Sequence, residues 1–456
     1  MSANSSDFDA ASWLDQNPMI THLRAALFDL NGLLRGKIVP SSQLSKVVSG
    51  GMRMPLSTVN LDIWGRDIAG SKWVFASGDA DGSCKWTGRG PLPIDWTSRS
   101  TALLPLSLRN NDGTPFDGDP RNVLESVLKR LAAHTLFPVA AFEMEFYLVD
   151  PEAGQTTPQG FVPGPGSGAQ QLHDGTLAID ELDSYDTFIS EIYDACRQQN
   201  IEVDTFISES GMGQFEVNLL HSDDLLKVAD DAALFKHVAK GIAQQHGLTA
   251  CFMAKPFPQQ PGSGMHVHLS MLDHKGKNVF DDGTDEGSEI FFNAIAGAIR
   301  ALPDSMLIFA PHQNSYRRFL AETHAPIIPC WGYENRTAAI RVPLGPSSQR
   351  RLEHRVAGAD TNPYLVLAAI LSAVLFGIED KLDPGMAIEG NAYEADIPPL
   401  PLEWGSAIDL FANSDLIKRM LPLTLVEMFG DCKQQEFQRF AIDVSPFEYR
   451  TYLDQC

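Results

Sequence analysis

The sequence predicts an α+β fold. Short β-type runs separated by tight turns fill residues 1 to about 105. Beyond them, segments of helical period alternate with apolar strands, and hairpin-like turns recur among those strands without any long, clear repeat.

The elements follow in order. Ala25-Ala-Leu-Phe-Asp-Leu meets Leu33-Leu-Arg-Gly-Lys-Ile-Val across Asn31-Gly32, and apolar runs around Asn-Gly predict a β-hairpin with a type I′ turn. Val59-Asn-Leu-Asp-Ile-Trp-Gly and the acidic turn Gly78-Asp-Ala-Asp-Gly82 come next, where Asp62, Asp79 and Asp81 have the ordinary character of turn formers. The polar cluster Arg109-Asn-Asn-Asp-Gly-Thr-Pro predicts a boundary over residues 106–119, dividing the chain into 1–110 and 111–456. Asp119-Pro120 has the cap and first residue of a helix, with Val123, Leu124, Val127, Leu128 and Leu131 as its apolar face.

A strand is predicted from Val139 to Val149. The Gly-, Pro- and Gln-rich stretch Pro151 to Asp174 predicts a long surface loop. Its Gly164-Pro-Gly-Ser-Gly lacks the flanking strand and helix of a dinucleotide fingerprint. A helix over about 185–199, strands at Ile201–Ile207 and up to Leu219, and an amphipathic helix over about 223–245 lead to Gly262-Ser-Gly-Met-His-Val-His-Leu-Ser270.

At 456 residues and 50.0 kDa the chain can bury a large core in two or three domains. Its 58 acidic against 35 basic residues, a formal net charge of -23, disfavour nucleic acid or an anionic membrane as partner and attract cations at long range. The six cysteines form no CxxC pair, which fits a reducing cytoplasm, and the N-terminal residues do not read as a signal peptide. The apolar run from Tyr364 to Ile378 is too short for a bilayer and predicts a buried helix.

Three constellations carry chemistry. If the run after Gly264 is a strand, His266 and His268 share a face, although a lone histidine is more often structural. Glu143 and Glu145 likewise share one face of an apolar strand, where two carboxylates need a cation, a proton or an exposed surface. Glu209 and Glu216 end a glycine-containing turn and could converge across a hairpin. With the histidines these acids form a mixed oxygen and nitrogen set suited to Mg²⁺ or Mn²⁺. Finally, Arg351, Glu353 and Arg355 alternate, and with Arg317, Arg318, Arg336 and Arg341 they make an arginine cluster dense for an acidic protein. A salt-bridged surface strand would explain part of it; anion binding explains more. No Walker A, kinase, HExxH or GxSxG motif occurs.

Taken in order, Phe-Glu143-Met-Glu145-Phe, Glu209-Ser-Gly-Met-Gly-Gln-Phe-Glu216, Gly262-Ser-Gly-Met-His266-Val-His268, Asn314-Ser-Tyr-Arg-Arg318, Asn335-Arg336-Thr-Ala-Ala-Ile-Arg341, Arg351-Leu-Glu353-His-Arg355 and Asn362-Pro-Tyr-Leu resemble the glutamine synthetase family. The resemblance implies an N-terminal β-grasp domain, a catalytic domain on a curved antiparallel sheet like a half barrel, and a dodecamer of two hexameric rings with sites between subunits. It implies a divalent ion held by Glu145, Glu209 and Glu216 and another by Glu143, His266 and Glu353. ATP phosphates would meet His268, Ser270, Arg341 and Arg351, and glutamate would meet Gly262, Arg318 and Arg355. Arg336 would stabilise the transferring phosphoryl, and Asp62 and Asp79 would reach the adjacent subunit's amine pocket.

The implied activity is ATP-dependent joining of glutamate's γ-carboxylate to an amine through γ-glutamyl phosphate. Three departures bear on which amine. The flap of ammonia-using members carries a glutamate in the pair of residues just before Ala-Pro, where this chain has Thr323-His324-Ala325-Pro326, so His324 replaces that carboxylate unless Glu322 serves instead. The usual Asn-Gly is Pro261-Gly262. The modified tyrosine's Asn-Leu-Tyr-Asp is Asn391-Ala-Tyr393-Glu. The expectation is a γ-glutamylpolyamine synthetase of putrescine type; the alternatives are glutamine synthetase using ammonia, a ligase for another small alkylamine, or a non-catalytic relative.

Overall fold

In the computed structural model, which describes residues 8–151, 175–320 and 323–456, the strands gather into two sheets. After helix α1 (Ala10–Gln16), the first sheet takes β1 (His22–Phe28), β2 (Leu34–Pro40), β3 (Met52–Pro55), β4 (Asp81–Trp86), β5 (Leu92–Ile94) and β6 (Thr101–Arg109), with α2 (Leu44–Val48) between β2 and β3. The order is β2-β1-β6-β4-β3, with β5 on β6. β1 and β6 run parallel, and the remaining pairs are antiparallel, in keeping with the β-grasp arrangement.

The β1–β2 hairpin is present, but its turn is not type I′. The strands end at Phe28 and resume at Leu34, and only Gly32 has positive φ, at 73°. Asp29 is one reason: its buried carboxylate accepts from the N–H groups of Asn31 and Leu33, each at 2.9 Å, and this closes a longer loop around the side chain.

Asp119 caps α3 (Pro120–Ala133) as expected, accepting from Arg121 and Asn122 N–H groups, and Val123, Leu124, Val127 and Leu131 are buried. The second sheet takes β7 (Phe137–Val149), β8 (Val203–Ser208), β9 (Gln214–Leu219), β10 (Thr249–Cys251), β11 (Met265–Leu272), β12 (Trp331–Tyr333), β13 (Ile340–Val342) and β14 (Leu352–His354). Its order is β12-β13-β14-β11-β7-β9-β8, with β10 on β7. This is the half-barrel sheet of the resemblance with one correction: β12 and β13 are parallel. Between β7 and β8 lie α4 (Ile179–Ser184), which the sequence reading passed over, and α5 (Asp186–Gln198). The loop expected over Pro151–Asp174 and the flap residue Glu322 fall, almost wholly and wholly, outside the described residues.

Alternation along β7 sorts its side chains. Phe142, Met144 and Phe146 are fully buried, as are Met265, Val267, Phe215 and Val217 on the neighbouring strands. Phe146 packs on Phe215, Phe235 and Phe252 with ring centroids 5.3 to 6.1 Å apart, so helix α6 (Leu225–Gln245), which carries Phe235, covers this face. The opposite face is left to polar residues. Helices α7 (Glu289–Phe309) and α8 (Pro363–Asp380) pack together, followed by α9 (Trp404–Asn413), α10 (Asp415–Met420), α11 (Leu423–Ala441) and α12 (Pro446–Tyr452). At 18 residues α8 has the length and composition to cross a membrane, longer than the apolar run suggested, yet most of it is buried inside the protein.

Candidate active site

Strand register assembles the polar face. In antiparallel pairs, residues directly opposite point the same way, and here His266 lies opposite Glu143, Glu216 opposite Glu145, and Glu353 opposite His268. Four adjacent strands, β14, β11, β7 and β9, therefore project their acids and histidines into one space. Arg341 joins from β13, opposite Glu353.

Contacts tie this group together. His268 Nε2 lies 2.7 Å from Glu143 Oε1, and His266 Nδ1 lies 3.3 Å from Glu143 Oε2. Glu353 is fully buried, with Arg341 at 2.7 Å on one oxygen and Arg355 paired to the other. Arg351 Nε donates to His268 Nδ1 at 3.2 Å. A guanidinium Nε–H can only donate, so His268 Nδ1 accepts and its Nε2 carries the proton given to Glu143. His268 thus stands as a donor. Glu145 accepts from Gly264 N–H at 2.8 Å and from the Gln214 amide at 3.4 Å.

Charge is out of balance in the protein alone. Burial pushes Glu216 up to about 9, aided by Glu143, Glu145 and Glu209, and burial with Glu145 pushes Glu209 up to about 7. Burial works the same way on Glu143, but the hydrogen bonds from His266 and His268 outweigh it and hold this carboxyl far below the usual range. On Glu353 the pull of Arg355 and the histidines likewise exceeds burial. Five carboxylates this close favour a cation over protons near neutral pH, and two sets meet the spacing for one: Glu143, Glu216 and His266, and Glu143, His268 and Glu353. The donor set therefore fits divalent metal. The second set counts His268, whose Nε2 proton suits an anion better than a metal, and neither set includes Glu145 or Glu209, so the grouping differs from the one the resemblance implies.

Unsatisfied donors surround the acids. Among the described residues the buried Nε–H groups of Arg341 and Arg355, the two arginines paired with Glu353, have no acceptor. Arg318 is 5% exposed and donates to the carbonyls of Val356 at 2.8 Å and Arg355 at 3.3 Å, with no ion pair among the described residues. Gly262 and Gly264 make room for it: a Cβ on Gly262 would stand 2.7 Å from Arg318 Cγ, and one on Gly264 2.8 Å from its NH2. Beside this group opens a cavity of about 820 Å³ lined by Glu143, His268, Ser270 and Arg351, with Asn218, Ser348 and Gln349 on its walls.

Other expected residues lie apart from the cluster. Arg336 is exposed in the turn between β12 and β13, and His324 is exposed with φ 56°. Asp79 is exposed, accepts from Ser57 Oγ at 2.6 Å and has φ 52°, while Asp62 is buried and accepts from Trp64 and Arg66 N–H groups and from Gln435. Among the described residues no hydrogen bond or ion pair joins these four to the cluster. Gln214 escaped the sequence reading although it stands inside a quoted motif; it bonds Gly262 O at 3.0 Å and so ties the Glu209–Glu216 hairpin to the loop before β11.

Acids that gather cations, arginines that await anions and a cavity beside both are compatible with the class of ATP-dependent carbon–nitrogen ligases, to which the comparisons with known proteins assign the chain. The chain belongs to the glutamine synthetase family: the family described as glutamine synthetase, catalytic domain, matches residues 117–452. It is 35% identical to the γ-glutamylputrescine synthetase of Escherichia coli (strain K12) over 94% of this chain and 90% of that one. It is 31% identical to a glutamate–isopropylamine ligase of a Pseudomonas species, over 95% of each. Among solved structures, a GmaS/ADP complex superposes with a TM-score of 0.84 at 28% identity, covering 98% of this chain and 99% of the other. The protein is a γ-glutamyl ligase of this family.

Proposed function

We propose that the protein joins the γ-carboxylate of glutamate to a diamine of putrescine type. The observation that carries this reading is His324: the position where ammonia-using relatives place a carboxylate holds an exposed imidazole in a left-handed turn. A carboxylate suits a small ammonium ion, which it can surround and deprotonate; an imidazole can take the proton and leave room for an alkyl chain. The 35% identity to a γ-glutamylputrescine synthetase supports it, and the net charge of -23 favours a dication.

Glu145, Glu209 and Glu216 are assigned to one divalent ion, Mg²⁺ or Mn²⁺, and Glu143, His266 and Glu353 to the other. When bound, these ions neutralise the phosphate charge of ATP. Arg318, Arg355 and the backbone at Gly262 hold glutamate so that its γ-carboxylate attacks the γ-phosphate, giving γ-glutamyl phosphate and ADP. His268, Ser270, Arg341 and Arg351 hold the phosphates, and Arg336 meets the transferring group. His324 takes a proton from the amine, which attacks the acyl carbon and expels phosphate. Asp62 and Asp79 are assigned to the amine pocket of an adjacent subunit in a dodecamer, where Asp62 would have to exchange Gln435 for its new partner. The division at residues 110 and 111 separates the two sheets and belongs to the same proposal.

ADP release with glutamate and a panel of ammonia, isopropylamine, ethanolamine, putrescine and cadaverine tests the reading. Putrescine is expected to exceed ammonia in kcat/KM by at least about tenfold, roughly 1.4 kcal/mol, and His324→Glu to shift the preference towards ammonia. A wild type that prefers ammonia to every alkylamine makes the protein a glutamine synthetase instead.

A further inference from the structure

The hydroxyl of Tyr393 is engaged across a long stretch of sequence. The ring is half-buried, and Oη donates to the carbonyl oxygen of Ala325 at 3.0 Å. Burial raises the phenol's pKa, against the pull of Arg318 and Arg355 and of the His324 and Thr323 N–H groups, so the phenol keeps the proton that it donates. One hydroxyl thus faces three successive backbone units, with the two arginines assigned to glutamate close enough to act on it.

Both ends of this contact are built to hold it. His324 has φ 56°, a conformation that a non-glycine residue keeps only under restraint from its surroundings. On the other side, Ala392 N–H donates to Thr337 Oγ1 at 3.0 Å, the Asn335 amide donates to Gly390 O at 2.8 Å, and Ala392 packs with Ile328, Cys330 and Ala338. The stretch 390–393 is therefore anchored to the turn that carries Arg336 and reaches from it to residues 323–325.

We propose that Tyr393 is a positioning residue for the amine half of the reaction: its hydroxyl fixes the backbone of Thr323 to Ala325 and so sets where His324 stands relative to Arg318 and Arg355. This rests on the reading of the site as a glutamate–amine ligase. Tyr393→Phe removes the hydroxyl and leaves the ring's packing. Hydrogen exchange at the amides of Thr323 to Ala325 should quicken about fivefold, the factor that one hydrogen bond of ordinary net strength supplies. With glutamate and ATP saturating, KM for the best amine should rise by a similar factor while KM for glutamate and for ATP stays within about twofold. Unchanged exchange overturns the inference, as does an equal rise in all three KM values, which is what a merely structural tyrosine would produce. A wild type that releases no ADP with any amine overturns the ligase reading and this one with it. A working ligase whose Tyr393→Phe form keeps its amine KM overturns this inference alone.

Discussion

If Arg318 holds glutamate as proposed, Arg318→Lys should separate glutamate binding from nucleotide binding. Arg318 is 5% exposed, and its two terminal nitrogens each donate to a main-chain carbonyl, Val356 O at 2.8 Å and Arg355 O at 3.3 Å, with no ion pair among the described residues. A buried guanidinium held by carbonyls alone retains donors and a charge for an anionic ligand. Lysine keeps the charge and can reach one carbonyl, but it loses the planar fork that meets a carboxylate with two parallel bonds. Truncating one side of a buried charge-assisted pair costs about 3 kcal/mol, which at about 1.4 kcal/mol per tenfold lowers kcat/KM for glutamate about 100-fold. KM for ATP should stay within about threefold, because His268, Ser270 and Arg351 line a cavity to which Arg318 does not contribute. Initial rates of ADP release, with glutamate varied at saturating ATP and amine and then the reverse, give both constants. The assignment fails if both substrates suffer alike, or if glutamate use stays within about threefold of wild type.

Two further perturbations probe the same face. Glu209 and Glu216 have carboxyls raised to about 7 and about 9, so the metal-free folded protein holds protons that the unfolded chain releases near 4.5. This contribution to stability is complete below about pH 4.5 and is lost as pH rises through about 7 and then about 9. Divalent metal replaces those protons, so the rise in Tm on adding Mg²⁺ should be larger at pH 9 than at pH 6; an equal or smaller rise there means that these carboxylates do not bind the ion. Gly264→Ala places a methyl 2.8 Å from Arg318 NH2 and 2.9 Å from His266 Nε2. Both side chains must shift, and turnover should fall at least about tenfold while the thermal midpoint holds within a few degrees; wild-type kinetics in this variant would show that the close approach does not matter.

What the sequence made legible was whatever short-range periodicity controls. Glu143 with Glu145 and His266 with His268 are each two apart, and period two in a strand puts each pair on one face whatever surrounds it. That the two pairs meet follows from the β7–β11 register, which the buried Phe142, Met144, Met265 and Val267 enforce, because a slip of one residue would turn them to the polar side. The parallel β12–β13 pair and the short α4 have no such signature, and neither does the contact of Tyr393 with Ala325, 68 residues apart. The resemblance carried the ligand sets, while the tautomer of His268 came only from seeing which atom of Arg351 meets it.

The hairpin turn shows how a distant charge can overrule a local signal. Asn31-Gly32 favours type I′, which needs positive φ at both residues, but Asn31 keeps negative φ while its amide bonds Leu61 O and its carbonyl oxygen accepts from Lys433. Lys433 is fully buried on α11, paired at 2.9 Å with Glu436, whose other oxygen accepts from Ile63 N–H at 2.8 Å. Burial would raise Glu436, yet Lys433 and His312 hold it down to about 2, so this buried carboxylate stays ionised and needs every one of its hydrogen bonds. Gln435, between them in sequence, bonds Asp62 Oδ2 at 2.9 Å. One helix thus fixes the hairpin turn, the loop carrying Asp62 and, through His312, the segment that leads to Arg318. Asp62 is thus held from two sides, its Oδ1 by the Trp64 and Arg66 N–H groups of its own loop and its Oδ2 by Gln435 on α11.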